Sequence, residues 1–181
     1  MKCLVTGATG FIGRVLCREL LARGDQVIAL SRRGGEAAPG LASHALDLSG
    51  EDVPAHYMAG VDVVFHLAGI AHRSASASQY DALNYRAPLR VARRAREAGV
   101  PRFVFLSSVK AMGPPDTGLV RSELDCSNPQ DAYGRSKLQA EIALGKEYAA
   151  SPLSVVIIRP VLVYGEGVKG NLQRLAAAVR Q

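Results

Sequence analysis

With 181 residues the chain has room for one domain with a sizeable core, and its 48% apolar and 21% charged residues match a folded globular protein. The formal charge of +6 is dispersed apart from the short groups "SRR" and "RVARRARE", and aromatic residues are few at 6%, which argues against nucleic-acid binding. No apolar run nears the ~18 residues of a membrane span, and the N-terminus carries no signal-peptide core.

Cys3, Cys17 and Cys126 show neither disulfide nor metal-ligand spacing, so buried thiols in a reducing cytoplasm are expected. Apolar runs then alternate with helical patterns in chain order. "KCLVT" predicts a strand, followed by a helix from about Phe11 to Arg23 with Phe11, Val15, Leu16 and Leu20 on one side. "QVIAL" is a second strand, and "SRRGGEAAPGLA" an irregular, mobile stretch before a short third strand, "SHAL". "VDVVFHLA" is the fourth strand, and one long helix is expected around "QYDALNYRAPLRVARRAREAG". "RFVFLSS" precedes a long functional loop, "KAMGPPDTGLVRSELDCSNPQD", then a helix from about Ala132 to Ala149 and the strand "LSVVIIRP". Continuously apolar strands alternating with helices give an α/β fold, a doubly wound parallel sheet of Rossmann type with strand order 3-2-1-4-5-6.

The turn between the first strand and helix carries Gly7, Gly10 and Gly13 at intervals of three. Glycines there permit a tight turn, a close backbone approach to a pyrophosphate and close helix–sheet packing. The following helix N-terminus offers free N–H groups and partial positive charge to phosphates, so a dinucleotide is the expected ligand. After the second strand, where NAD enzymes often place an acid for the ribose, this chain has Ser31, Arg32 and Arg33. A 2′-phosphate contact follows, favouring NADP slightly over NAD; a solvated basic loop is the alternative. Asp47 is placed either to meet the adenine edge or to cap a helix.

"DAYGRSKLQAE" puts Tyr133 and Lys137 four residues apart on one helix face. A tyrosine is a poor base at neutral pH, and an adjacent ammonium favours its phenolate. Ser107 and Ser108 end the fifth strand at the carboxyl edge, where ligands bind in open α/β sheets. His66 reads as a packed core residue, and His44, His56 and His72 lack metal spacing, so no metal is expected. Tyr164 and Gly165 read as a substrate-side loop or an ordinary turn.

From Met1 to about Asn171 the chain resembles the extended short-chain dehydrogenase/reductases, the NAD-dependent epimerase/dehydratase family. The resemblance rests on "TGATGFIG", "DL" at Asp47–Leu48, "HLAG" at His66–Gly69, "FVFLSS", "YGRSK" and "RPVLVYG". It implies a catalytic triad of Ser108, Tyr133 and Lys137. Ser108 is taken over Ser107 because it lies five residues before Gly113, as the family pattern requires. Met112 replaces the tyrosine usual before that glycine. The same resemblance implies cofactor contacts at Gly7, Thr9, Gly10, Phe11, Ile12, Gly13, Ser31, Arg32, Asp47, Leu48, Leu67, Ala68, Gly69 and Asn84, with Asn171 meeting the substrate's nucleotide diphosphate.

"SSVKAMG" and "RPVLVYGEGVKGNLQRL" look most like bacterial UDP-N-acetyl-hexosamine 4-epimerases and 4-keto-reductases of polysaccharide pathways. Dehydratases carry Asp-Glu where this chain has Val109 and Lys110, which argues against dehydration. The implied activity is therefore NAD(P)-dependent epimerisation or keto reduction at C4 of a UDP-sugar. The rival reading is a non-catalytic NADP-binding module that senses redox state or docks a partner. Family members are longer, so residues 1–181 are expected to be a truncated NAD(P)-binding domain, inactive alone, without the substrate-binding domain. The apolar face of its last helix would invite self-association, leaving room for a homodimer.

Overall fold

The computed structural model describes residues 1–71, 75–114, 120–125, 128–165, 167 and 178. The chain runs β1 (Lys2–Thr6), α1 (Phe11–Ala22), β2 (Gln26–Ser31), β3 (Gly35–Ala38), β4 (Leu41–Ala45), α2 (Ala55–Met58) and β5 (Val63–His66). It continues through α3 (Ala77–Tyr80), a π-helical turn (Asp81–Arg86), α4 (Ala87–Glu97), β6 (Arg102–Leu106), a 3-10 turn (Val109–Met112), α5 (Ala132–Tyr148) and β7 (Ser154–Ile158).

These strands form one sheet in the order β3-β4-β2-β1-β5-β6-β7, parallel except for the antiparallel pair β3–β4. Without β3, the six parallel strands follow the expected order 3-2-1-4-5-6. Alternate residues feed two cores, because successive strand side chains point to opposite faces. Leu4, Val64, Phe103 and Phe105 pack with Val91 of α4 and Leu144 of α5, while Cys3, Val5, Val63 and Val104 pack with Cys17 and Leu20 of α1. Burial on both faces explains the near-continuous apolar runs. At the β7 edge, Val156 and Ile158 remain 39% and 45% exposed.

One expectation is corrected. The stretch "SRRGGEAAPGLA" is a hairpin rather than an irregular segment: Gly34 and Gly35 turn the chain at φ +69° and +101°, and Ala37 and Ala38 are buried in the core beside α1. Its Gly, Glu, Ala and Pro give no apolar run, so nothing local announces the strand; pairing with β4 makes it. The long helix expected over 79–99 is present as one continuous helical run from α3 through the π turn to the end of α4 at Glu97. Its start does carry a local signal, a capping box in which Ser76 Oγ accepts from Gln79 N while Gln79 Oε1 accepts from Ser76 N.

Candidate active site

The glycine turn after β1 is too tight for side chains. Gly7 has φ +68°, and a Cβ there would come within 2.8 Å of Ala68 N on the neighbouring strand's exit. A Cβ on Gly13 would strike Gly7 O and lie 2.8 Å from Ala8 Cα. Helix α1 therefore packs backbone to backbone on the turn. Its N-cap, Gly10, supplies no side chain to the first amides, which leaves the positive helix end open to an anion.

Beside that turn lies a cavity of about 440 Å³. Gly7, Thr9 and Gly10 form one end; Ser31, Arg32, Asp47 and Leu48 line another part; Leu67, Ala68 and Gly69 complete it. Phe11 and Ile12 instead line a neighbouring groove along α1, shared with Tyr164 and Gly165. Ser31 also works structurally, donating from Oγ to Gly34 O at 3.0 Å and accepting from Ser43 Oγ at 2.9 Å, which fastens the hairpin base. Arg33 is exposed and does not line the cavity. Asp47 lines the cavity, and instead of capping a helix it closes a turn, its Oδ1 accepting from Ser49 N at 2.9 Å. Hydrogen bonds from Ser49 hold this carboxyl below the usual range.

At the carboxyl end of β6 the two serines part. Ser107 is buried and donates to Glu141, whose carboxylate accepts from Arg159 Nη2 at 2.6 Å. Ser108 instead stands beside Tyr133, where its hydroxyl favours the phenolate, and caps the 3-10 turn, its Oγ accepting from Lys110 N at 3.2 Å. Burial pushes the Tyr133 phenol upward, opposed by Ser108 and by Lys110. Lys137, on the same helix as Tyr133, reaches the end of β6. It lies deeper, donates from Nζ to Leu106 O at 2.8 Å and stands 4.6 Å from the Phe105 ring centre. Burial lowers it to about 8, with Glu141 pulling the other way.

Asn84 and Lys137 nevertheless converge on Gly69. A Cβ at Gly69 would lie 2.9 Å from Asn84 Oδ1 and 3.5 Å from Lys137 Nζ. Asn84 is fully buried; its Oδ1 accepts from Ile70 N at 2.8 Å, and its Nδ2 donates to Ile70 O at 3.0 Å and Ser136 Oγ at 3.2 Å. The π turn carrying Asn84 thus ties the β5 exit to α5. Sequence reasoning did not single out Ser136, Glu141 or Arg159, although "YGRSK" contains Ser136 and "RPVLVYG" begins at Arg159; their hydrogen bonds to buried groups mark them. Met112 is buried and lines a separate groove of about 730 Å³ with Lys110, Arg121 and Arg159. Asn171, Cys126 and His72 lie outside the described residues. Cys3 and Cys17 are buried free thiols, Cys17 pushed up to about 11 by burial, and among the described residues no cluster suits a metal.

His66 is packed, as expected. It is fully buried, its Nδ1 paired with Thr6 Oγ1 at 3.0 Å and its ring between Phe103 and Phe105. Burial, with Lys137 nearby, lowers its pKa to about 3. Between about 3 and the ordinary 6.5 the unfolded chain binds a proton at this site that the native chain refuses. Stability is therefore full above about 6.5 and is lost as pH falls through that window, by a few kcal/mol in order of magnitude. Urea melts from pH 7 to 4 should show the loss, and His66→Gln should flatten it; an unchanged slope in that variant would exclude His66 as its source.

Comparison with known proteins agrees with this geometry. The chain is 33% identical to the UDP-glucose 4-epimerase of Vibrio cholerae, over 97% of this chain and 56% of that protein. It is 34% identical to the 2-alkyl-3-oxoalkanoate reductase of Stenotrophomonas maltophilia (strain K279a), over 100% of this chain and again 56% of the relative. The solved structure of MoeE5 in complex with UDP-glucuronic acid and NAD superposes with a TM-score of 0.86 at 34% identity, covering 98% of this chain and 61% of that one. The chain thus spans little more than half the length of the curated relatives it matches. Residues 3–181 match the family model for NAD dependent epimerases and dehydratases, and with a cradle of glycines at the sheet's switch point the chain belongs to the NAD dependent epimerase/dehydratase family.

Proposed function

We propose that the protein is an NAD(P)-dependent enzyme acting at C4 of a UDP-sugar, as a 4-epimerase or a 4-keto-reductase, in the cytoplasm. The observation that carries this reading is the placement of Ser108 beside Tyr133 at the carboxyl edge of the same sheet that carries the glycine-lined cavity. The glycine cradle and the uncapped N-terminus of α1 suit a dinucleotide diphosphate, held by Gly7, Thr9, Gly10, Phe11, Ile12 and Gly13. Ser31, Arg32, Asp47 and Leu48 would take the adenosine end, and Leu67, Ala68, Gly69, Asn84 and Lys137 the nicotinamide end. Nicotinamide, when bound, supplies the hydride exchange. Tyr133 gives or takes the proton of the 4-oxygen, and Ser108 hydrogen-bonds that oxygen. Asn171 would meet the substrate's diphosphate. The names of the Vibrio cholerae relative and of the MoeE5 complex support a UDP-sugar substrate.

The same residues serve both outcomes, so the assay must separate them. Incubated with a panel of UDP-sugars and their 4-keto forms, the intact protein should yield either a C4 epimer with no net cofactor consumption or a reduced sugar with matched loss of NAD(P)H absorbance. Neither product across the panel would sink the proposal.

Cofactor choice turns on Arg32, exposed at the cavity rim. NADPH is expected to bind more tightly than NADH at low salt, with the preference shrinking as salt screens the charge pair and vanishing in Arg32→Ser. Equal affinities in low-salt titrations would reduce Arg32 to a solvated loop residue.

A further inference from the structure

The ammonium of Lys110 faces the Tyr133 ring. Its Nζ stands 6.0 Å from the centre of the Tyr133 ring, and the residue is fixed from three sides. Its N–H donates to Ser108 Oγ at 3.2 Å. Its carbonyl lies so near α5 that a Cβ at Gly134 would come within 2.5 Å of it. Its Nζ donates to Asp131 Oδ2 at 3.0 Å, while Asp131 Oδ1 caps α5 by accepting from Gly134 N at 2.6 Å. One residue therefore caps the helix and anchors the cation that faces the helix's second residue. Ser108, Lys110 and Asp131 are thus linked by hydrogen bonds beside the Tyr133 ring.

We propose that Lys110, anchored by Asp131, is a positioning residue that supplies positive charge to the Tyr133 phenol during proton exchange, separately from Lys137. The proposal rests on the function proposed above and deepens it. Other groups face the phenol too: Ser108 from the β6 exit, the Tyr80 ring of α3 at 6.2 Å, and Asp131 at the helix cap. Burial, Asp131 and Tyr80 disfavour the phenolate; Ser108 and Lys110 favour it. Lys137, on Tyr133's own helix, is committed to Leu106 O. With side chains 59% and 51% exposed, the Lys110–Asp131 pair is open to screening, so its influence should fade with salt.

The test titrates Tyr133 directly by the ultraviolet absorbance of its phenolate. Subtracting the Tyr133→Phe curve isolates it from the other five of the chain's six tyrosines. Its midpoint should move to higher pH in Lys110→Met, further in Lys110→Glu, and stay in place in Lys110→Arg, which keeps the charge. High salt should move the wild-type midpoint toward that of Lys110→Met. In the intact enzyme the limb of kcat that rises with pH should shift likewise, with KM unchanged. Circular dichroism checks that each variant folds, and Lys110→Arg guards against a packing artefact. An unmoved midpoint in folded Lys110→Met overturns the proposal, as does an effect on KM alone, which would make Lys110 a substrate contact. The titration needs no substrate, so its failure leaves the proposed function standing. Full turnover by Tyr133→Phe would instead remove that function and leave the titration intact.

Discussion

Tyr133→Phe is expected to lower kcat of the intact protein by about 10²–10⁴-fold, the usual worth of a positioned acid–base group, with dinucleotide affinity unchanged. The phenylalanine ring keeps the packing against Tyr80, whose ring centre is 6.2 Å away. Ser108 keeps its place because its Oγ still accepts from Lys110 N. Only the hydroxyl that would exchange a proton with the sugar oxygen is gone. Thermal melts should therefore match wild type closely, and rapid-mixing kinetics should show the loss in the chemical step. A variant retaining more than a tenth of wild-type kcat would remove Tyr133 from the acid–base role.

The largest effect on stability is expected at Gly13. A valine there would drive Cβ into Gly7 O and the backbone of Ala8, none of which is a flexible side chain that can swing aside. Helix α1 must lift from the sheet, opening the core around Cys17 and Leu20 and spoiling the phosphate cradle together. Overpacking against rigid neighbours costs about 3 kcal/mol or more, which in a domain of this size lowers Tm by about 6–12 °C. Dinucleotide binding should disappear even where the fold survives. Gly145→Ala is the contrasting control: it lies inside α5, has negative φ and meets nothing within 4 Å, so it should stabilise by about 0.5 kcal/mol. Equal melting curves for Gly13→Val and wild type would contradict the close packing of α1.

How much was legible in sequence differs by element. The strands declared themselves because burial on both faces makes them apolar throughout, as in "VVFH" and "RFVFL". The glycine turn was legible because only glycine tolerates both φ +68° at Gly7 and the contact that Gly13 makes. Strand β3 was not legible: Gly35–Ala38 has weak β-propensity and gains its structure from pairing with β4 and cover from α1. The π turn was equally hidden, since helical periodicity over 79–99 does not reveal where one residue is inserted to turn Asn84 inward.

The sequence by itself determined the order of the six parallel strands, the position of the phosphate cradle and the side-chain types at the site, because hydrophobic period and glycine sterics are local properties. Tertiary structure decided which of those side chains meet. Ser107 and Ser108 are adjacent in sequence, yet one enters a buried network with Glu141 and Arg159 and the other reaches Tyr133. Lys137, on Tyr133's own helix, reaches Leu106 O and the Phe105 ring, while Lys110, from another element, brings its ammonium to 6.0 Å from the centre of the Tyr133 ring. Charge and hydrogen-bond partners act over a few ångströms in space, and for groups on different elements that distance is set by packing, not by spacing along the chain.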